Sequence, residues 1–174
     1  MKRLSLLFVL VLALSACTQK TEPVDIDAEK AVLNEMFANY EAYFAALETD
    51  SLLALYSEDM LICGSDPGEF WNREVTRESY DEQREWYDSQ GGMPDVSFFG
   101  DRIIKVDPDG KSALVIEQMN VAFSPGLPWR QVHYVLKTDC KWLISVSSFG
   151  IIPKNEDLPA IFMALTAEEI IEEE

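Results

Sequence analysis

One histidine, His133, and three cysteines, Cys17, Cys63 and Cys140, are all the imidazole and thiol groups that the 174 residues offer to a metal. Zinc sites gather about four nitrogen or sulfur ligands, usually at short spacings, and nothing of that kind is present. No metal and no other cofactor is expected. Basic residues are also scarce: 14 lysines and arginines stand against 31 acidic side chains, for a formal charge of −17. A field of that sign repels phosphate backbones, and no basic stripe interrupts it, so nucleic acid is not a partner. Anionic lipid headgroups would be repelled in the same way. Long apolar runs are missing, because the longest, residues 4–14, falls well short of the roughly 20 residues a spanning helix needs. Internal repeats are absent too.

What is present begins with that short run. Met1-Lys2-Arg3, the apolar stretch and then Ser15-Ala16-Cys17 follow the order of a secretory signal: basic, apolar, small before a cleavage point. Leu14-Ser15-Ala16 before Cys17 resembles the bacterial lipobox, which implies a signal over residues 1–16 and a lipid-modified Cys17 at the new N-terminus. Thr18 stands where an aspartate would mark inner-membrane retention, so the same resemblance implies the outer membrane, facing the periplasm. Acyl chains contribute about 0.8 kcal/mol per buried methylene, which makes Cys17 the expected membrane contact. Residues 17–25, with Pro23, read as a polar tether. Loss of the signal takes Lys2 and Arg3 away, leaving 158 residues with 12 basic and 31 acidic side chains. That length suits one domain with a real core. A disulfide between Cys63 and Cys140 is permitted by the periplasm and left open by the sequence.

Residues 26–153 carry the domain pattern and residues 154–174 form an extension ending in an acidic tail. Val32, Leu33, Met36, Phe37, Tyr40, Tyr43, Phe44 and Leu47 recur mostly at three- and four-residue steps, predicting a helix over 27–48 capped by Asp25 or Asp27. After Thr49-Asp50-Ser51, Leu52, Leu53, Leu55 and Tyr56 suggest a second short helix. A short strand over 60–63 is ended by Gly64, and a loop over 65–71 leads to a third helix from about Thr76 to Gly91-Gly92. Four β-rich segments follow, at 96–106, 112–123, 129–138 and 142–149. Their connections are Asp107-Pro108-Asp109-Gly110, residues 124–128 and Asp139-Cys140. Helices first and strands later make an α+β fold, with three helices on one face of a curved antiparallel sheet. In the extension, residues 158–165 are apolar enough to cover the core, and Thr166-Ala167-Glu168-Glu169 has the pattern of a capping box opening an acidic helix.

This order resembles the nuclear transport factor 2-like superfamily, which includes the SnoaL-like polyketide cyclases and ketosteroid isomerase. The Thr49-Asp50 break, Tyr56-Ser57-Glu58-Asp59 and the hairpin ending Lys141-Trp142-Leu143-Ile144 carry the resemblance. It implies a cone-shaped sheet of about four main strands plus a short one. It further implies a pocket between the first helix and the concave face, and frequent dimerisation through the outer face. The isomerase base would fall near Cys63-Gly64, where neither residue can take a proton; Asp66, two residues on, could substitute only if the loop folds back. Tyr40 and Tyr43 match its oxyanion tyrosine only in part, and its sheet acid falls near Tyr134. Ser145, Ser147 and Ser148 stand where several relatives carry histidines, which weakens a catalytic or metal reading.

Strand alternation nominates the inward residues. A two-residue turn at Asp139-Cys140 sets Lys137 opposite Trp142, Val135 opposite Ile144 and His133 opposite Val146, putting Trp129, Gln131 and His133 inside. The neighbouring strand places Val115, Glu117, Met119, Val121 and Phe123 on one side. A turn centred on Gly126 would set Met119 opposite His133 and Glu117 opposite Val135, with Glu117 diagonal to His133. A buried glutamate beside a histidine suits acid–base work, ligand orientation or simple mutual hydrogen bonding, and the sequence leaves all three open. Aromatics from several elements (Tyr40, Phe44, Trp71, Trp86, Trp129 and Trp142) would gather at one cavity or serve as core. Together with Glu117, Met119, Gln131 and His133 they suggest a pocket for a small, largely apolar molecule. The alternatives are an enzyme using His133 and Glu117, and an interaction module or homodimer exposing Tyr134, Leu136 and Leu143.

Overall fold

The computed structural model describes residues 23–122 and 124–171. The signal, Cys17, Thr18 and Phe123 lie outside them, as do the last three glutamates. Helix α1 (Ile26–Ala45) starts where the Asp25 carboxylate accepts the Ala28 amide at 3.0 Å. It buries Leu33, Phe37 and Tyr40 completely. Each such side chain contributes about 1.5–3 kcal/mol of burial free energy. Its polar side is tied down as well: Glu29 accepts from Lys137 Nζ at 2.5 Å and from Trp142 Nε1 at 2.8 Å. Leu47, in the left-handed region at φ 46°, turns the chain into helix α2 (Thr49–Leu53).

Strand β1 (Tyr56–Cys63) is longer than expected and takes in Tyr56, which the sequence assigned to a helix. A two-residue strand β2 (Phe70–Trp71) emerges from the expected loop and pairs antiparallel with the end of β1. Helix α3 (Arg73–Ser89) begins three residues before Thr76, because the Asn72 side chain caps it through the Val75 amide at 3.0 Å. Gly91 and Gly92, both at positive φ, end it. Strands β3 (Val96–Val106), β4 (Ser112–Val121), β5 (Trp129–Thr138) and β6 (Lys141–Ile151) then form a meander.

The curved, open sheet has the order β2-β1-β6-β5-β4-β3. It is mixed, not antiparallel throughout: β1 runs parallel to β6. That pairing joins the two ends of the domain, and alternation within either strand carries no sign of it. Two registers also differ from expectation. Met119 lies opposite Trp129, Glu117 opposite Gln131 and Val115 opposite His133, because the β4–β5 connection centres on Ser124 rather than Gly126. The shift is even, so the inward set is unchanged. In β6 a bulge at Ser145 sets Val146 opposite Tyr134 and Ser147 opposite His133. An odd insertion reverses the faces, so Val146 turns outward and Ser147, fully buried, turns in.

Helix α4 (Leu158–Ile171) runs through Thr166, whose hydroxyl donates back to the Phe162 carbonyl at 3.0 Å; no new helix starts there. Nor does the apolar stretch cover the core, because Phe162, Met163 and Leu165 are all more than half exposed. Cys63 and Cys140 are free thiols.

Candidate functional site

The inner face of the sheet carries a polar cluster at its centre. His133 and Gln131 are fully buried, and Glu117 is 4 % exposed. Gln131 Oε1 lies 3.2 Å from His133 Nε2, and a carbonyl oxygen accepts, so Nε2 carries the proton. The neutral ring then accepts at Nδ1 from the Ser147 hydroxyl at 2.7 Å, and Ser147 accepts from Tyr56 at 2.8 Å. Gln131 Nε2 donates to the Met119 sulfur at 3.2 Å. Phe37 and Tyr40 pack on the imidazole with centroids 5.0 and 4.9 Å away. Burial, with the positive charge of Arg102, drives the histidine down to about 3, so the ring is neutral at pH 7. Burial pushes Tyr56 up to about 12.

Arg102 was not singled out by sequence, yet it organises the cluster. Strand β3 bulges between Phe99 and Ile103, where Gly100 sits at φ 74°, and this turns Arg102 toward Glu117. Its Nε donates to Glu117 Oε1 at 2.5 Å and its Nη2 to Glu41 at 2.5 Å. Nη1 holds the Asn34 carbonyl at 2.9 Å. Burial nevertheless raises Glu117 to about 7, overcoming the pull of Arg102. Its other oxygen, Oε2, is buried with no hydrogen-bond partner. A glycine inside a β pattern signals a bulge, and a lone arginine in register with Phe98 and Ile104 demands a buried acid; those were the available cues.

Beside this cluster lies a cavity of about 310 Å³ between α1, α3 and the sheet. Phe44, Trp71, Tyr80, Tyr87, Trp129 and Phe149 supply its aromatic wall, Met119 and Val121 its sheet side, and Ser65, Glu69 and Gln83 its polar rim. Rings support one another around it: Phe44 stacks on Phe149 at 6.0 Å, and Trp71 meets Tyr80 edge-on at 6.3 Å. The Trp129 indole is fixed by donating to Ser124 at 2.7 Å. Gly64 ends β1 for a steric reason, since a Cβ there would come within 2.6 Å of Glu69 Cβ.

Of the nominated residues, Phe44, Trp71, Met119 and Trp129 line the cavity. Glu117, Gln131 and His133 do not; they meet next to it, joined to its wall through Met119. Tyr40 and Trp142 are core residues. Trp86 is 58 % exposed and is not part of the wall of this cavity. It lies one position off the stripe of α3 that carries Tyr80, Gln83 and Tyr87, and this one-step offset sends it to solvent. Tyr80, Tyr87, Phe149 and Glu69 complete the wall without having been nominated. Among the described residues no group of three or more His, Cys, Asp or Glu is placed to hold a metal ion. No described helix is long and apolar enough to cross a membrane.

No protein-family model matches the sequence, and no curated protein aligns with it. Solved structures do match. An NTF2-like protein of unknown function from Shewanella baltica superposes with a TM-score of 0.60 at 12% identity, over 75% of this chain and 99% of its own. A domain of unknown function with a cystatin-like fold from Nostoc punctiforme gives 0.65 at 11% identity, over 83% and 93%. A candidate scytalone dehydratase from Novosphingobium aromaticivorans gives 0.58 at 14% identity, over 72% and 85%. Helices on one face of an open curved sheet, matched by such distant sequences, give this chain the fold of the nuclear transport factor 2-like proteins.

Proposed function

We propose that the domain is a binding module for a small, largely apolar molecule, held in the aromatic cavity and displayed in the bacterial envelope by a lipid on Cys17. The observation that carries this reading is the cavity itself. Its volume of about 310 Å³ lies at the lower end of ligand pockets, about 300–1,000 Å³, and its wall is mostly rings with a few polar groups. Glu117 and His133 support binding more than turnover. A catalytic group must reach the reacting atom, whereas this pair stands off the cavity wall with Met119 between. His133 holds Gln131, and through it Met119, in one arrangement, while Glu117 is engaged by Arg102.

The neutral fluorescent probe N-phenyl-1-naphthylamine tests the site. Saturable binding that Trp71→Ala weakens at least fivefold supports the reading; no binding by the folded domain rejects it. The anchor is tested separately by labelling cells with radioactive palmitate, with label on the wild type and none on Cys17→Ser.

A second reading, a homodimer through the outer sheet face, is favoured by one observation. Phe99, Ile103 and Tyr134 are 39%, 49% and 43% exposed on that face, which no described helix covers. Light scattering of the soluble domain decides it: twice the chain mass is expected, and a monomer at 100 μM would end it.

A further inference from the structure

We propose that the ligand of this cavity is an organic cation, its apolar body among the rings and its positive charge at the mouth beside Glu69. This deepens the binding reading above and rests on it. Among the described residues the cavity wall contains one carboxylate, that of Glu69, and no lysine, arginine or histidine. An anionic ligand would enter without a counter-charge, against a chain of formal charge −17. A neutral ligand would make no use of the one carboxylate on the wall, whereas a cation would pair with it.

That placement is built with some care. The Glu69 backbone carbonyl accepts the Gly64 amide at 2.9 Å, and its side-chain Oε2 accepts the Asp66 amide at 3.0 Å. Any side chain at position 64 would collide with it. The carboxylate is therefore held at the end of β1, at the same rim as Ser65 and one residue from the strand that delivers Trp71. The aromatic wall adds a second attraction, because ring faces carry partial negative charge and draw cations, most strongly for tryptophan. Behind the floor the balance has the same sign: the guanidinium of Arg102 faces two carboxylates, Glu117 and Glu41.

Three matched naphthyl probes distinguish this inference from the general binding reading, each titrated calorimetrically into the soluble domain. They are (2-naphthylmethyl)trimethylammonium, its neutral carbon isostere 2-neopentylnaphthalene, and 2-naphthylacetate. The cation is expected to bind at least fivefold tighter than the isostere, and the acetate weakest. Glu69→Gln keeps an oxygen for the Asp66 amide. It is expected to cost the cation about three- to fivefold, as loss of a mouth-exposed pair should, and to leave the isostere within twofold. Glu74→Gln, the same charge change away from the cavity, should leave all three unchanged. A cation that binds no tighter than its isostere, or an advantage that Glu69→Gln leaves undiminished, overturns the inference and leaves the apolar binding reading standing. If none of the three binds, both fall.

Discussion

Glu117 Oε2 lies 3.8 Å from His133 Nε2, too far for a hydrogen bond, because the imidazole N–H is turned to Gln131 at 3.2 Å. The two residues share a buried site without sharing a proton. Each titrates against its own desolvation, in opposite senses.

Those senses set the pH dependence of stability. Glu117 is raised to about 7 from 4.5, so the folded state keeps its proton longer than the unfolded chain. Its contribution is present below 4.5 and lost as pH rises to 7. His133 is lowered to about 3 from 6.5, so the unfolded chain takes the proton first. Its contribution is present above 6.5 and lost as pH falls toward 3. Between pH 5 and 7 each amounts to about 2 kcal/mol, and the two nearly cancel. Relative to wild type, Glu117→Gln should gain about 2 kcal/mol from pH 5 to 7, and His133→Gln should lose as much. Urea midpoints at both pH values check this; parallel profiles for all three proteins would contradict it.

Arg102 compensates a carboxylate that is nearly out of water. Arg102→Met should destabilise by about 1–3 kcal/mol at pH 8, where wild-type Glu117 is ionised, because without its partner the buried acid must take up a proton or stay charged and unpaired. At pH 5 the acid is protonated and the loss should shrink by half or more. Denaturant unfolding at the two pH values measures it, and an equal loss at both would show that Arg102 acts by packing alone.

Two buried tyrosines should respond in opposite ways to losing a hydroxyl. Tyr40 is fully buried and its oxygen has no hydrogen-bond partner, though Tyr56 is near with centroids 6.5 Å apart. Tyr40→Phe should be neutral or stabilise by about 1 kcal/mol. Tyr56→Phe breaks the bond to Ser147 and leaves that hydroxyl with one partner fewer, costing about 1–2 kcal/mol. Thermal unfolding of both variants gives the order.

The tryptophans separate the cavity from the surface. With N-phenyl-1-naphthylamine as probe, Trp86→Ala should bind within twofold of wild type and change stability by less than about 0.5 kcal/mol. Trp129→Ala should weaken the probe about tenfold, since it removes a wall ring. A large loss at Trp86 would mean that the probe sits outside the cavity.

Much of the fold was legible. The segments at 96–106 and 129–138 match β3 and β5 at both ends, because alternation and turn residues are local properties. The inward row of Gln131 and His133 was legible for the same reason, and it survived a four-residue shift of β4 against β5 because the shift was even. Ser147 was not legible. One extra residue in β6 put it against His133 in place of Val146, and nothing in a stretch of alternating serine marks where a strand bulges. Trp86 shows the matching limit on a helix, where a single position separates the wall from solvent.

By itself the sequence determined charge, the period of each element and the residue types that could meet on the inner face, since these depend on neighbours a few positions away. Only the tertiary structure decided that β1 lies parallel to β6, that Arg102 reaches Glu117, and that the cavity closes around Tyr80, Tyr87, Phe149 and Glu69. Those contacts join residues distant along the chain, and they are selected by the burial and pairing of whole surfaces, which local propensity does not encode.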